Sequence, residues 1–181
     1  MRELTITISL WFVIIITVLC WKMPTVEVEE PSPVVEEVEV VTPEPDPEVA
    51  PQPWTDEEAV LLAKMLWGEA RGVKSDTEKA ACVWCVLNRV DQGYGDITIV
   101  VTAPHQFVGY TESNPVDDNL KALCEDVLSR WYAEREGQVE VGRVLPADYL
   151  WFSGDGERNH FRNAYRGGDR WDWSLPSPYE S

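Results

Sequence analysis

The sequence predicts a mainly helical α+β domain with a small β element, placed after an apolar N-terminal segment and a proline-rich linker. Three observations carry this prediction. Apolar residues recur at helical spacing in three stretches between Thr55 and Glu136. Two of those stretches open on a Thr or Ser with Glu three residues later. The last forty or so residues are short, aromatic and Gly-rich, with a pattern that suits a hairpin more than a helix. The chain has 181 residues and no internal repeat, so one folded domain with appendages is expected.

Taken in order, residues 1–22 read as a membrane anchor. Leu4 to Trp21 is a run of 18 uncharged residues around Leu10-Trp11-Phe12-Val13-Ile14-Ile15-Ile16. One helical crossing takes about 20 apolar residues, with a lower limit near 17. Thr17-Val18-Leu19-Cys20-Trp21-Lys22 lacks the small residues that precede a signal-peptide cleavage site, so an uncleaved anchor is expected. Arg2 before the span and Lys22 after it leave a small bias that keeps the N-terminus in the cytoplasm and the rest outside. The expected location is therefore the cell membrane, single-pass, with the folded domain extracytoplasmic.

Residues 23–53 read as a disordered linker. They hold eight prolines and nine acidic residues with no basic one. Proline removes backbone donors and like charges repel, so such a segment cannot bury a core. At about 3.1 Å per residue it reaches on the order of 90 Å. From Trp54 onward there are 22 acidic and 13 basic residues, a net of −9 against −17 for the whole chain. Neither part has the basic footprint of a nucleic-acid binder, so no nucleic acid is expected as a partner.

The folded domain is expected over 54–181. Thr55 and Glu58 open its first helix; Val60, Leu61, Leu62, Met65 and Leu66 form its stripe, and Gly72 stops it. Ser75 and Glu78 have the same spacing and open a second helix running to about Val90, broken by Gln92-Gly93-Tyr94-Gly95. Ile97 to Val101 reads equally as a short strand or a helical turn, and Thr102 to Asn114 as a loop. A third long helix is expected over roughly Val116 to Glu136, closed by Gly137. Tyr149 to Phe152 and His160-Phe161 suit a hairpin around Gly154-Asp155-Gly156.

Glu69 is the most informative position. It follows Leu62, Met65 and Leu66 at spacings of seven, four and three, so it lies on the apolar stripe at the C-terminal end of its helix. Apolar surroundings and the negative end of the helix dipole both disfavour its charge. A carboxyl group that keeps its proton near neutral pH is what glycosidic cleavage requires of a general acid. The bland alternative, with even weight on spacing alone, is a structural ion pair with Arg71, Arg89 or another cation.

The stretch Leu61-Leu62-Ala63-Lys64-Met65-Leu66-Trp67-Gly68-Glu69-Ala70-Arg71-Gly72 resembles the opening motif of the SleB-type cell-wall hydrolases, the family of spore cortex-lytic enzymes. Val86-Leu87-Asn88-Arg89-Val90 resembles the family's second helix, and Gln106-Phe107 its Gln-Phe pair in the substrate loop. The likeness covers roughly Leu61 to Tyr110. It implies a lysozyme-like or lytic-transglycosylase-like fold and cleavage between N-acetylmuramic acid and N-acetylglucosamine, with Glu69 in the place of the catalytic glutamate. Val73-Lys74-Ser75 departs from the family at a place where many members carry another acidic residue, and the stretch with Asp155, Asn159 and Phe161 matches only loosely.

The further assignments follow from that frame. Gln106 is a candidate for hydrogen-bonding a sugar N-acetyl or hydroxyl group. Phe107 and Tyr110 are candidate groove-lining rings, with core packing the alternative for Phe107. Asn88 is either polar support at the site or an ordinary helix-end residue. Asp91, Asp96, Glu112, Asp155 and Glu157 are open as a second carboxylate, and nothing in spacing selects one; a one-carboxylate mechanism is favoured. No cofactor and no metal are expected. The expected partners are peptidoglycan and the membrane, and the expected state is a monomer.

Two rival readings stand beside this one. A cysteine peptidase or amidase would use Cys82, Cys85 or Cys124 with His105 or His160, but none of these cysteines sits at a helix start beside a base. Cys82-Val83-Trp84-Cys85 lies inside a helix, where buried thiols are expected rather than a zinc or redox pair. A non-catalytic wall-binding module on a stalk would keep an aromatic groove without needing Glu69.

Overall fold

A computed structural model describes residues 52–180. The proposed anchor, and the linker up to Pro51, lie outside the described residues.

Four helices and one hairpin follow one another: α1 (Asp56–Ala70), α2 (Asp76–Asp91), α3 (Ile97–Thr102), α4 (Asp118–Arg135), β1 (Trp151–Gly154) and β2 (Asn159–Arg162). Over the described residues the protein is thus mixed α and β, mostly helical, with one small two-stranded sheet. Among the described residues no helix is long and apolar enough to cross a membrane.

Each helix starts where its cap dictates. Thr55 Oγ1 accepts the Glu58 N–H at 3.2 Å, and the Glu58 carboxylate accepts the Thr55 N–H at 2.9 Å. Ser75 caps α2 through the Glu78 N–H at 3.2 Å, but the Glu78 carboxylate does not return to the cap. It turns inward and is buried, a departure from the reciprocal capping box that the spacing predicts. Asp96 caps α3, so the β-branched stretch Ile97–Val101 is helical. Asp117 caps α4, and Gly137 follows it at φ 92°, which lets the chain turn away.

The centre of the domain is α2, where Ala80 through Arg89 are all buried. It packs against α1, α3, α4 and β1. The stripe Ala59, Leu62, Ala63, Met65, Leu66 and Ala70 of α1 meets Cys124, Val127, Leu128 and Trp131 of α4 in the same core. Burying such side chains stabilises the fold by about 1.5–3 kcal/mol each for the larger ones. Strand β1 pairs antiparallel with β2, Phe152 opposite Phe161 and Gly154 opposite Asn159. Phe161 drives the hairpin onto the core, where it is fully buried.

Candidate active site

Glu69 sits in the last turn of α1, half-buried. Its position depends on a close crossing of two backbones. Gly68 on α1 faces Gly109 in the 103–114 loop, and a Cβ on either would collide with the other's backbone carbonyl group. Only two glycines let the loop lie this near the helix. The approach brings the Gly109 N–H to Glu69 Oε1 at 2.6 Å. Glu69 Oε2 has no protein partner among the described residues.

The loop is also clamped to α1 at Lys64. Asn114 Nδ2 donates to the carbonyl oxygens of Lys64 (3.0 Å) and Gly109 (2.9 Å). Lys64 Nζ donates to the Glu112 carbonyl at 2.8 Å. Neither arginine weighed as an ionic partner reaches Glu69. Arg71 donates to the Trp67 carbonyl at 3.1 Å. Arg89 is buried and donates to the Leu150 carbonyl (2.7 Å) and to Gln106 Oε1 (3.0 Å). Its guanidinium also lies over the Phe107 and Trp151 rings, 5.0 and 4.7 Å from their centroids. That sandwich offsets part of the cost of burying a cation without a carboxylate.

The other sequence candidates separate into two groups. Tyr110 is half-buried beside Gly109, in the loop that holds Glu69. Gln106 is exposed, but Arg89 holds its carbonyl oxygen, which leaves only its amide nitrogen for a ligand. Phe107 is 5% exposed and packs on Phe152 and under Arg89, so it belongs to the core and not to a groove wall. Asn88 is fully buried: Nδ2 donates to the carbonyls of Pro146 (2.8 Å) and Tyr149 (3.0 Å), and Oδ1 accepts from Arg143 (2.6 Å). Its hydrogen bonds are spent on joining α2 to the segment before β1, which takes it out of the candidate site.

Three of the five carboxylates weighed as a second catalytic group are engaged elsewhere. Asp91 accepts from Trp131 Nε1 at 2.9 Å, and Asp96 caps α3. Asp155 shapes the hairpin turn, accepting the N–H groups of Glu157 (3.0 Å) and Arg158 (2.8 Å) and pairing with His160 at 2.8 Å. The backbone N–H of Arg158, then His160 and the Glu157 N–H, lower the Asp155 carboxyl to about 2. Glu112 and Glu157 are exposed.

One carboxylate that the sequence reading passed over is buried. Glu78 is 7% exposed and accepts the Asn159 N–H through Oε1. Asn159 Nδ2 in turn donates to Cys82 Sγ at 3.4 Å. Burial first, then Cys85, Glu78 and Glu69, hold the Cys82 thiol well above its usual range, so both carboxylates lie within electrostatic reach of that sulfur. The only signal for Glu78 in the sequence was its place three residues after Ser75, which pointed to a cap instead.

A groove of about 570 Å³ is lined by Gly72, Lys74, Glu78, the hairpin turn at Gly156–Arg158, and Trp173; Glu69 does not line it. Cys82, Cys85 and Cys124 are fully buried free thiols. Burial raises all three, Cys85 to about 12. A buried, protonated thiol is not an available nucleophile. Comparison with protein-family models, with curated proteins and with solved structures finds no match to this chain.

Proposed function

We propose that the domain cleaves the glycan strands of peptidoglycan, as a lytic transglycosylase or muramidase, with Glu69 as general acid. The observation that carries this reading is a half-buried carboxyl group with no cation paired to it among the described residues, one oxygen fixed by a backbone N–H and the other unengaged. The resemblance of the Gly68-Glu69-Ala70-Arg71-Gly72, Leu87-Asn88-Arg89-Val90 and Gln106-Phe107 segments to the SleB-type hydrolases supports the substrate class. A mostly helical domain with one small hairpin supports a lysozyme-like arrangement.

The chemistry follows from the two unlike oxygens of Glu69. Gly109 N–H holds Oε1, so Oε2 carries the proton and delivers it to the bridging glycosidic oxygen. The bond from the muramic C1 to that oxygen breaks, and the departing strand leaves with a hydroxyl group. Positive charge develops at C1 and the ring oxygen. In the one-carboxylate route the sugar's own C6 hydroxyl attacks C1, and its proton returns to Glu69, leaving a 1,6-anhydro end. In the muramidase route water attacks in its place and leaves a reducing end.

The long acidic linker and the apolar N-terminal run in the sequence support a domain that works outside the cytoplasm at some distance from the membrane. No cofactor enters the scheme.

Purified peptidoglycan incubated with the full-length chain in mild detergent tests the reading. Muropeptide mass spectrometry should show anhydro or reducing glycan ends. Glu69→Gln keeps a carbonyl oxygen for the Gly109 N–H and loses only the proton, so the fold should persist and cleavage fall by a factor of about 10²–10⁴ or more. Wild-type activity in a folded Glu69→Gln protein would refute the assignment.

A further inference from the structure

The groove past Gly72 contains an anion that its own surroundings do not complete. Glu78 is more than nine-tenths buried, yet no cation pairs with it among the described residues. Its Oε1 is used by the Asn159 N–H, while its Oε2 accepts nothing among the described residues. Glu78 also lines the groove. A carboxylate withdrawn from water to this degree is stabilised by a positively charged hydrogen-bond donor.

The rest of the lining carries both signs. Lys74 and Arg158 line the same groove from the α1–α2 turn and the hairpin turn, as do Glu157 and Glu180. Lys74 and Arg158 are exposed, and neither has an ionic partner among the described residues, in a domain of net −9. Asp155 fixes the backbone of Arg158 through its N–H, so the hairpin turn has a defined place at the rim. Trp173 adds an apolar wall: it is 39% exposed, stands edge-on to Phe161 at 5.6 Å, and holds a left-handed backbone at φ 61° that few non-glycine residues adopt. A buried carboxylate, rim side chains of both signs and an aromatic face together fit a small group carrying both an ammonium and a carboxylate.

We propose that this groove is a subsite for a zwitterionic amino-acid group, with its ammonium toward Glu78 and its carboxylate toward Lys74 and Arg158. Its occupant is the diaminodicarboxylic residue of the peptide stem that branches from the glycan, an identification that rests on the glycan-cleaving reading. The free end of meso-diaminopimelate carries both charges on one carbon, which matches a groove lined by both signs. A lysine at the same stem position offers the ammonium without the carboxylate and gives Lys74 and Arg158 no anion of the ligand.

Calorimetric titration of the full-length chain in detergent tests this with three probes. They are the tripeptide L-Ala-γ-D-Glu-meso-diaminopimelate, the same tripeptide ending in L-Lys, and free meso-diaminopimelate. The diaminopimelate tripeptide should bind saturably and at least about tenfold more tightly than the lysine tripeptide, the scale of one charge-assisted contact. Tighter binding than free meso-diaminopimelate identifies the stem as the source, and equal binding overturns that identification. The Lys74→Glu/Arg158→Glu double variant changes only exposed side chains and should abolish the preference. Glu78→Gln, checked for folding by circular dichroism, should weaken both tripeptides. No binding by the wild type, or a preference that survives the rim variant, overturns the subsite. Glycan cleavage is scored separately on strands with and without stems. Binding without any cleavage sinks the enzymatic reading and leaves the subsite. Equal cleavage of both strands without tripeptide binding does the reverse.

Discussion

Replacing Gly109 with alanine probes the crossing on which the candidate site is built. The new Cβ would run into the Gly68 carbonyl group, which is backbone inside a helix and cannot rotate away. Relief requires the loop to back off by about 1 Å. That movement lengthens the Gly109 N–H contact to Glu69 from 2.6 Å to roughly 3.6 Å, beyond hydrogen-bond range. Two costs combine. Overpacking costs about 1–3 kcal/mol, and the lost hydrogen bond about 0.5–1.5 kcal/mol. Part of the second returns as water reaches the half-buried carboxyl group, so about 1–4 kcal/mol of lost stability is expected. Activity should fall further than stability, because about 1 Å of misplacement of a catalytic group can cost on the order of 10²-fold in rate. Urea unfolding followed by tryptophan fluorescence gives the first quantity, and muropeptide release per folded molecule the second. Gly68→Ala attacks the same contact from the other side and should behave alike. An unchanged unfolding midpoint together with an unchanged rate in Gly109→Ala would refute the close crossing and its role in holding the acid.

The other predictions concern groups away from that crossing. Asn88→Leu strands the Pro146 and Tyr149 carbonyls and an Arg143 N–H, and should cost about 2–4 kcal/mol of stability without altering the rate per folded molecule; a rate loss at unchanged stability would return Asn88 to the site. Iodoacetamide at pH 8.5 should leave Cys82, Cys85 and Cys124 unmodified in the folded chain and alkylate all three in guanidinium, as mass mapping would show; rapid native labelling would contradict their burial. The folded Asp155 carboxyl is lowered to about 2, below its ordinary value of about 3.9, so its contribution to stability is complete above about pH 4 and is lost as pH falls through about 2. Carbon-detected NMR titration of Asp155 should place its midpoint near the lower figure, and a midpoint near 4 would show that the 155–158 turn does not hold it.

Local rules make the helices legible in sequence. Thr55 with Glu58, Ser75, and the apolar stripes locate α1, α2 and α4 to within about two residues, because caps and helical periodicity act between near neighbours. The hairpin around Gly154-Asp155-Gly156 is legible for the same reason. Ile97 to Val101 is not, since β-branched residues suit a strand and only the Asp96 cap tips the short segment into a helix. Spacing places Glu69 at the end of the apolar stripe, where it lies half-buried, but gives no sign of the Gly109 N–H that grips it.

What sequence alone determined here is therefore the set of elements and the presence of a carboxylate at the end of an apolar stripe. Tertiary structure decided which neighbours that carboxylate has. Gly109 lies 40 positions from Glu69, and Glu78 reaches an N–H 81 positions away, at Asn159. Asn88 and Phe107 carry motifs that suggest a ligand site, yet packing spends them in the interior. Periodicity reports which face of a helix is apolar. It carries no information about which loop crosses that face, because that depends on how distant segments share one core.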